Sequence, residues 1–463
     1  MTGLKKINKL ITDKQYAEAL AGLNDLNISL VSYDDFQQES TEIYNNFLAC
    51  CPAEDETQAK VAIKCLNLLK RSCALGETFQ NEIISKESFI IKIREILQDH
   101  QASESVRINC LQLLANLCVQ NKSNQETILK EFKDFLLKSI EDNTSYTNAS
   151  TMIVYNSFIY KSEIGLSAQE LLEVLLANVE KNRTDQSEVP EFVSIFLEYL
   201  MCESNEIVDQ YDKISNEKRI LFLHYLTEYI RYDNRRNRPL TQDLFKHLLT
   251  NFKRKSDEIL KTNEDTKMEL GDVEEVFTLL ALLSDCTCVE PYGSFLRQDG
   301  SLFLNMGCLL RLLQKRGKSE DENMFTPIQK VEEILKIRQG TSELNIEQEI
   351  SFSLKSSLVK ALANLSYKNK KNQNLAREME IMSAILDCTN LDARNPFIQE
   401  WSILAIRNLC EENPENQQFI ASLTKIGDAP NSSLTADFTT GTGGTIRISA
   451  SSSSPATSTS RGQ

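Results

Sequence analysis

A repeated asparagine pattern constrains this chain more than any other feature. LLANLCVQNKSNQ (113–125), ALANLSYKNKKNQ (361–373) and AIRNLCEENPENQ (405–417) align without gaps, and each reads Asn-Leu-x-x-x-Asn-x-x-Asn-Gln. The shared residues are Asn116, Leu117, Asn121, Asn124 and Gln125; Asn364, Leu365, Asn369, Asn372 and Gln373; and Asn408, Leu409, Asn413, Asn416 and Gln417. A fainter copy, LKRSCALGETFQ (69–80), keeps Arg71, Cys73 and Gln80 on the same marks. Arg71 and Asn116 are 45 residues apart and Asn364 and Asn408 are 44 apart, the period of armadillo or HEAT repeats. The 248 residues between Asn116 and Asn364 hold about five more units at that period, with Asn156, Tyr199 and Asp285 as intervening anchors.

Each copy reads as helix, turn, helix. In FIQEWSILAIRNLC, Phe397, Trp401, Leu404, Ile406 and Leu409 recur at helical intervals, Ile403 and Ala405 thicken the stripe, and no Gly or Pro interrupts. Asn413-Pro414 ends that helix, because asparagine tolerates the left-handed or N-cap conformation and proline suits the first turn of QQFIASL. Asn121 and Asn369 take the same turn position, and Asn124, Asn372 and Asn416 serve the next helix start. Cys73, Cys118 and Cys410 share one position with Ser366, as a small packing residue would.

The anchors Asn116, Asn364 and Asn408 fall inside long helices, where asparagine is unfavourable and no cap is needed. Two roles account for them. One is bracing between repeats, since a buried amide satisfies neighbouring backbone groups. The other is a partner-binding groove on a concave solenoid surface. One helical face then carries Asn109, Gln112 and Asn116 in the first copy, Ser357, Lys360 and Asn364 in the second, and Trp401, Leu404 and Asn408 in the third.

Fifteen glycines and nine prolines in 463 residues make about 5% of the chain against an average of roughly 12%, which favours helices over many short strands. A net charge of −15 opposes broad attraction to phosphate backbones. Local basic loops, RYDNRRNR (231–238) and YKNKK (367–371), leave a nucleic-acid or nucleoprotein adaptor as the alternative function. No apolar run reaches membrane-spanning length and the first residues carry charges too early for a secretory signal, so a soluble cytoplasmic protein is expected. Twelve cysteines scattered through apolar segments read as reduced core thiols. The Cys286/Cys288 pair, even with Cys50 and Cys51, lacks the spacing of a zinc site. His100, His224 and His247 form no triad pattern, and no phosphate-binding or metalloprotease motif is present. No catalytic residue, metal or cofactor is assigned.

Residues 354–420 resemble the carboxy-terminal domain of the ataxin-10 family, through NLSYKNKKNQ, LDCTNLDARNPFIQEW and AIRNLCEENPENQ. The match is close over about 65 residues, looser over 60–130, and weakest between 141 and 350. The resemblance implies a cytoplasmic, non-catalytic scaffold of armadillo-like repeats that binds protein partners. It further implies regulation of cytokinesis and, in animals, neuronal survival and neurite outgrowth.

The expected fold is all-α, an armadillo/HEAT-like α-solenoid that winds as a right-handed superhelix. Amino-terminal repeats are expected over 1–140, degenerate middle repeats over 150–340 and the family-like block over 345–425. Residues 431–463, with nine Ser and seven Thr among 33, form a tail that cannot bury a core and is expected to lack order. EDNTSYTNAS (141–150), KRKSDEILKTNEDTK (253–267) and QKRGKSEDEN (314–323) read as loops. The partners are proteins, with no membrane contact, and a homo-oligomer is compatible with the sequence.

Overall fold

Several helix starts fall where the sequence supplies a cap. Asp55 starts the Glu56–Cys73 helix by accepting from the backbone N–H of Thr57 and Gln58 at 2.7 and 2.8 Å, and Ser167 starts Ala168–Thr184 by accepting from Glu170 N at 3.1 Å. Pro414 occupies the first turn of Pro414–Ser422, where its missing N–H costs nothing. The computed structural model describes residues 3–25, 33–161, 165–232, 238–261, 270–318, 325–328, 352–423, 435–440 and 446–451. The chain divides into two compact units, Met1–Ile214 and Ser215–Gln463, a division that runs through the expected middle block.

Within the Met1–Ile214 unit, the helices Tyr33–Ala49, Glu56–Cys73, Glu104–Leu117, Thr147–Ile159 and Glu191–Cys202 pack successively against one another. A second row, Glu77–Ile84, Lys122–Glu141, Ala168–Thr184 and Glu206–Tyr211, packs in the same order. The last four helices of the first row end at 73, 117, 159 and 202, so the period continues beyond the copies that keep the asparagines. Apolar side chains fill the seam between rows, among them Leu66, Leu69, Leu111, Leu114, Ile153 and Phe196, each 0% exposed.

The Ser215–Gln463 unit repeats this arrangement. Asn216–Tyr232, Leu270–Cys286, Leu354–Ser366 and Ile398–Cys410 form one row, and Gln242–Lys261, Gly300–Gly317, Lys370–Glu378 and Pro414–Ser422 form the other. The helices of both units form arrays of stacked helical repeats, the α-solenoid class expected from the period. Two strands in the tail, Thr435–Thr440 and Ile446–Ser451, pair antiparallel with Phe438 opposite Ile448. A two-stranded ladder alone is marginal in water, so it adds little to the packed helices. The rest of the expected tail, 431–434, 441–445 and 452–463, lies outside the described residues.

Several details differ from expectation, and of the expected loops residues 147–150 open the Thr147–Ile159 helix and residues 314–317 close Gly300–Gly317. Residues 253–261 continue the Gln242–Lys261 helix instead of forming a loop, because Phe252, Lys255 and Ser256 are buried on its face. Helix Ile398–Cys410 buries Ile398, Ser402, Ala405, Ile406 and Leu409, one residue out of phase with the stripe through Phe397, Trp401 and Leu404. Phe397 precedes the helix in the left-handed region, φ 60°, and is 70% exposed.

Candidate functional site

The repeated corner has one geometry in all three full copies. Asn121, Asn369 and Asn413 are N-caps whose side chains accept from the backbone N–H of Asn124, Asn372 and Asn416 at 3.1, 3.2 and 3.3 Å. The residue before each cap, Gln120, Lys368 or Glu412, holds the left-handed turn with φ of 53°, 50° and 50°. Asn124, Asn372 and Asn416 donate seven residues back to the carbonyls of Leu117, Leu365 and Leu409 at 3.1, 2.9 and 2.7 Å. In the degenerate copy Gly76 stands where the capping asparagine would be, with φ 128° and no side-chain cap.

The glutamine that ends the pattern couples one repeat to the next. Gln80 donates to the carbonyls of Asn116 and Val119 at 3.3 and 3.2 Å, and Gln373 to those of Asn408 and Glu411 at 2.9 and 3.3 Å. In return Asn121 donates to Gln80 Oε1 at 2.9 Å and Asn413 to Gln373 Oε1 at 3.2 Å. The corner therefore forms a buried amide ladder between consecutive repeats.

The candidate groove residues distribute as follows. In the first unit, Lys70 Nζ donates to Asn109 Oδ1 and Gln112 Oε1 at 2.7 Å each, and Asn116 donates to the Lys70 carbonyl at 3.5 Å. Gln112 is exposed, and Asn109 and Asn116 are half-buried. In the second unit, the Ser357 carbonyl accepts from Ser284 at 2.9 Å, and Asn364 donates to Thr287 Oγ1 at 2.9 Å. Asn408 is buried and donates to the Ala363 carbonyl at 2.9 Å, a bracing contact to the preceding repeat. Each anchor amide thus bonds back onto a neighbouring element. Trp401 and Leu404 remain half-exposed.

Lys360 and Trp401 belong to a polar row that crosses the second unit. Arg231 Nε donates to Asp285 Oδ2 at 2.6 Å, Lys360 Nζ donates to Asp285 Oδ1 at 2.5 Å, and the same ammonium lies 5.6 Å from the centre of the Trp401 ring. The row crosses all four stacked helices, with Asp285, one of the weak anchors read from sequence, at its centre. Of the other two, Asn156 accepts from Tyr160 N through its carbonyl at 3.4 Å. Tyr199 stacks edge-on to Tyr155 at 5.8 Å. Only the ends of the basic run 231–238 are described, 233–237 lying outside the described residues.

The shared cysteine position is structural. Burial pushes the Cys73 thiol up to about 12 and the Cys410 thiol up to about 11, and Ser366 takes the place by donating to the Ala363 carbonyl at 3.0 Å. Cys286 is buried and Cys288 exposed, and no cluster of three or more potential metal ligands occurs among the described residues. Among them, too, no helix is long and apolar enough to cross a membrane.

A second bracing set escapes sequence reading. Asn178 donates to the Ile140 carbonyl at 2.6 Å and Asn143 to Asn182 Oδ1 at 2.8 Å, joining two helices whose asparagines lie off the repeated pattern. The LDARNPF turn is likewise structural. Asn395 Oδ1 accepts from Lys355 N at 2.8 Å and Ser356 N at 3.3 Å, capping a helix 40 residues away, while Asn395 Nδ2 donates to Asp392 at 2.8 Å. This turn is inverted: Asp392, Arg394 and Asn395 are buried, whereas Leu391 and Phe397 are 53% and 70% exposed. A left-handed phenylalanine costs about 1–2 kcal/mol and little ring burial offsets it here. Phe397→Gly is therefore expected to raise stability by about 0.5–1 kcal/mol after the entropy cost of glycine in the unfolded chain. Urea midpoints measure this, and a clear loss would mean that the ring packs against the fold.

Fold and face together define a helical-repeat protein of the armadillo/HEAT-like class, in which stacked helices present a side-chain row. The family model described as the spinocerebellar ataxia type 10 protein domain matches residues 354–441. Ataxin-10 of Homo sapiens is 27% identical over 409 residues, covering 84% of this chain and 82% of that protein, and ataxin-10 of Bos taurus is 26% identical over 391 residues, covering 80% and 78%. The ataxin-10 homolog of Dictyostelium discoideum is 48% identical over 91 residues, 19% of this chain and 15% of that protein. Residues 354–441 thus match this family's domain, and the chain is similar to ataxin-10 over about four fifths of its length.

Proposed function

We propose that this chain is a non-enzymatic, cytoplasmic scaffold that lays an extended segment of a partner protein across its rows of inner helices. The observation that carries the proposal is the unbroken row Arg231, Asp285, Lys360 and Trp401 over four consecutive helices. Packed helix axes lie about 8–10 Å apart and an extended chain advances about 3.3 Å per residue, so a bound strand meets a new helix about every third residue. Trp401 and Leu404 offer half-exposed apolar contact beside the polar groups of Ser357, Lys360 and Asn364. Asn109, Gln112 and Asn116 offer the corresponding face of the other unit, and buried Asn408 holds the frame. No cofactor or metal enters this function.

The similarity to ataxin-10 extends the proposal to regulation of cytokinesis and, in an animal chain, to neuronal survival and neurite outgrowth. The nucleic-acid alternative is weakened by the engagement of Arg231 with Asp285. Panning a library of random peptides of about ten residues against the full chain tests the scaffold directly. Enriched peptides are expected to bind Lys360→Ala/Trp401→Ala about 30-fold more weakly, as loss of an aromatic hot spot does, with the thermal midpoint little changed. Equal binding to wild type and variant would remove the groove.

A further inference from the structure

A second, separate surface lies at the corner after Leu354–Ser366. Ser294 and Arg297 on one side and Tyr367, Lys368, Lys370 and Lys371 on the other line an open cleft of about 620 Å³. Glu290 neutralises Arg297, its Oε1 lying 2.7 Å from Arg297 Nη2. No ion pair to Lys368, Lys370 or Lys371 occurs among the described residues, and all three side chains are exposed. Lys368 Nζ sits 5.3 Å from the centre of the Tyr367 ring, and Lys370 Nζ makes one long bond of 3.5 Å to the Glu412 carbonyl.

The fold does not require these charges. The left-handed position of Lys368 is filled by Gln120 and Glu412 in the sister copies, and the corner is closed by Asn369 and Asn372. The sister corner at 411–415, EENPE, carries the opposite charge on the same backbone. Three unpaired ammonium groups around one cleft, in a chain of net charge −15, thus form a local field with no structural duty.

We infer that this cleft binds a short Asp/Glu-rich segment of a partner protein. Lysines on flexible stems suit carboxylates spaced irregularly along a peptide, whereas planar bidentate recognition of single anions favours arginine. The small extent of the patch and the negative charge of the chain disfavour a nucleic-acid track, which needs many phosphate contacts.

The test uses the full chain and a fluorescent peptide of about eight glutamates, with anisotropy read at about 50 and 300 mM salt. The comparison variant is Lys368→Glu/Lys370→Glu/Lys371→Glu. Glutamate already occupies the first equivalent position at Glu412, and acidic residues in a first helical turn are favourable, so this variant keeps its fold. Expected are salt-sensitive binding to the wild type and a loss of at least about tenfold in the variant, with an unchanged thermal midpoint. Equal binding by the variant, or no binding by the wild type, overturns the inference. Tighter binding of a single-stranded oligonucleotide of equal charge also overturns it, in favour of a nucleic-acid contact. Panning against the inner-helix row is independent of this outcome, because neither Lys360 nor Trp401 lines the cleft.

Discussion

Glu275→Ala is expected to destabilise the Ser215–Gln463 unit by about 3–5 kcal/mol, the usual cost of removing one partner from a buried ion pair. The Glu275 side chain is 1% exposed and its Oε2 receives Arg219 Nε at 2.9 Å and Lys255 Nζ at 2.7 Å. Lys255, 9% exposed in its side chain, retains only Asp272 at 2.9 Å once Glu275 is gone. The loss therefore comes less from missing attraction than from a buried ammonium left half-compensated. Trp401 is the chain's one tryptophan and lies in this unit, so its fluorescence during urea titration reports the transition. Arg254→Ala, which breaks an exposed pair with Glu258, is the control and should leave the midpoint in place. A Glu275→Ala midpoint equal to that of the control would mean that the network contributes no net stability.

This network shows where sequence reading stops. KRKSDE looks like a solvated loop because its charge density is high, and nothing local reveals that Lys255 meets a carboxylate 20 residues away. Likewise Arg231 and Lys360 reach Asp285 from 54 and 75 residues away, so the row that carries the proposed groove has no local period. The phase of Ile398–Cys410 was illegible for another reason. FIQEWSILAI is apolar almost all round, and a stripe that broad fits two adjacent helical faces equally well.

What was legible shares one property: it recurs. The asparagines and glutamines stood out because the same hydrogen bonds are needed at each corner, and the period of about 44 residues gave the repeat class. Asn143, Asn178 and Asn182 perform similar bracing once, off the repeated pattern, and so left no signal. The LDARNPF turn appeared only as part of a family resemblance. Its reason, an asparagine capping a helix from 40 residues away, is a tertiary contact that no spacing rule encodes.

The recurrent ladder itself yields the other large effect. Gln373→Ala removes a donor that serves the carbonyls of Asn408 and Glu411, and also takes away one acceptor of the Asn413 amide. Asn413→Ala removes the cap on Asn416 N and leaves Gln373 Oε1 without that donor. Both side chains are buried, so each single change is expected to cost about 2–3 kcal/mol, the sum of lost bonds and stranded polar groups. Because the second change strands groups that the first has already stranded, the double variant should lose about 1–2 kcal/mol less than the two singles added together. Urea denaturation of the four proteins, followed at Trp401, completes the cycle. Strict additivity would show that the two amides do not act as a unit in joining these repeats. A coupling of the expected size would instead make the Asn-Gln pair the joint between repeats. That role gives a physical reason for asparagine and glutamine to recur in the three full copies while cysteine and serine exchange freely beside them.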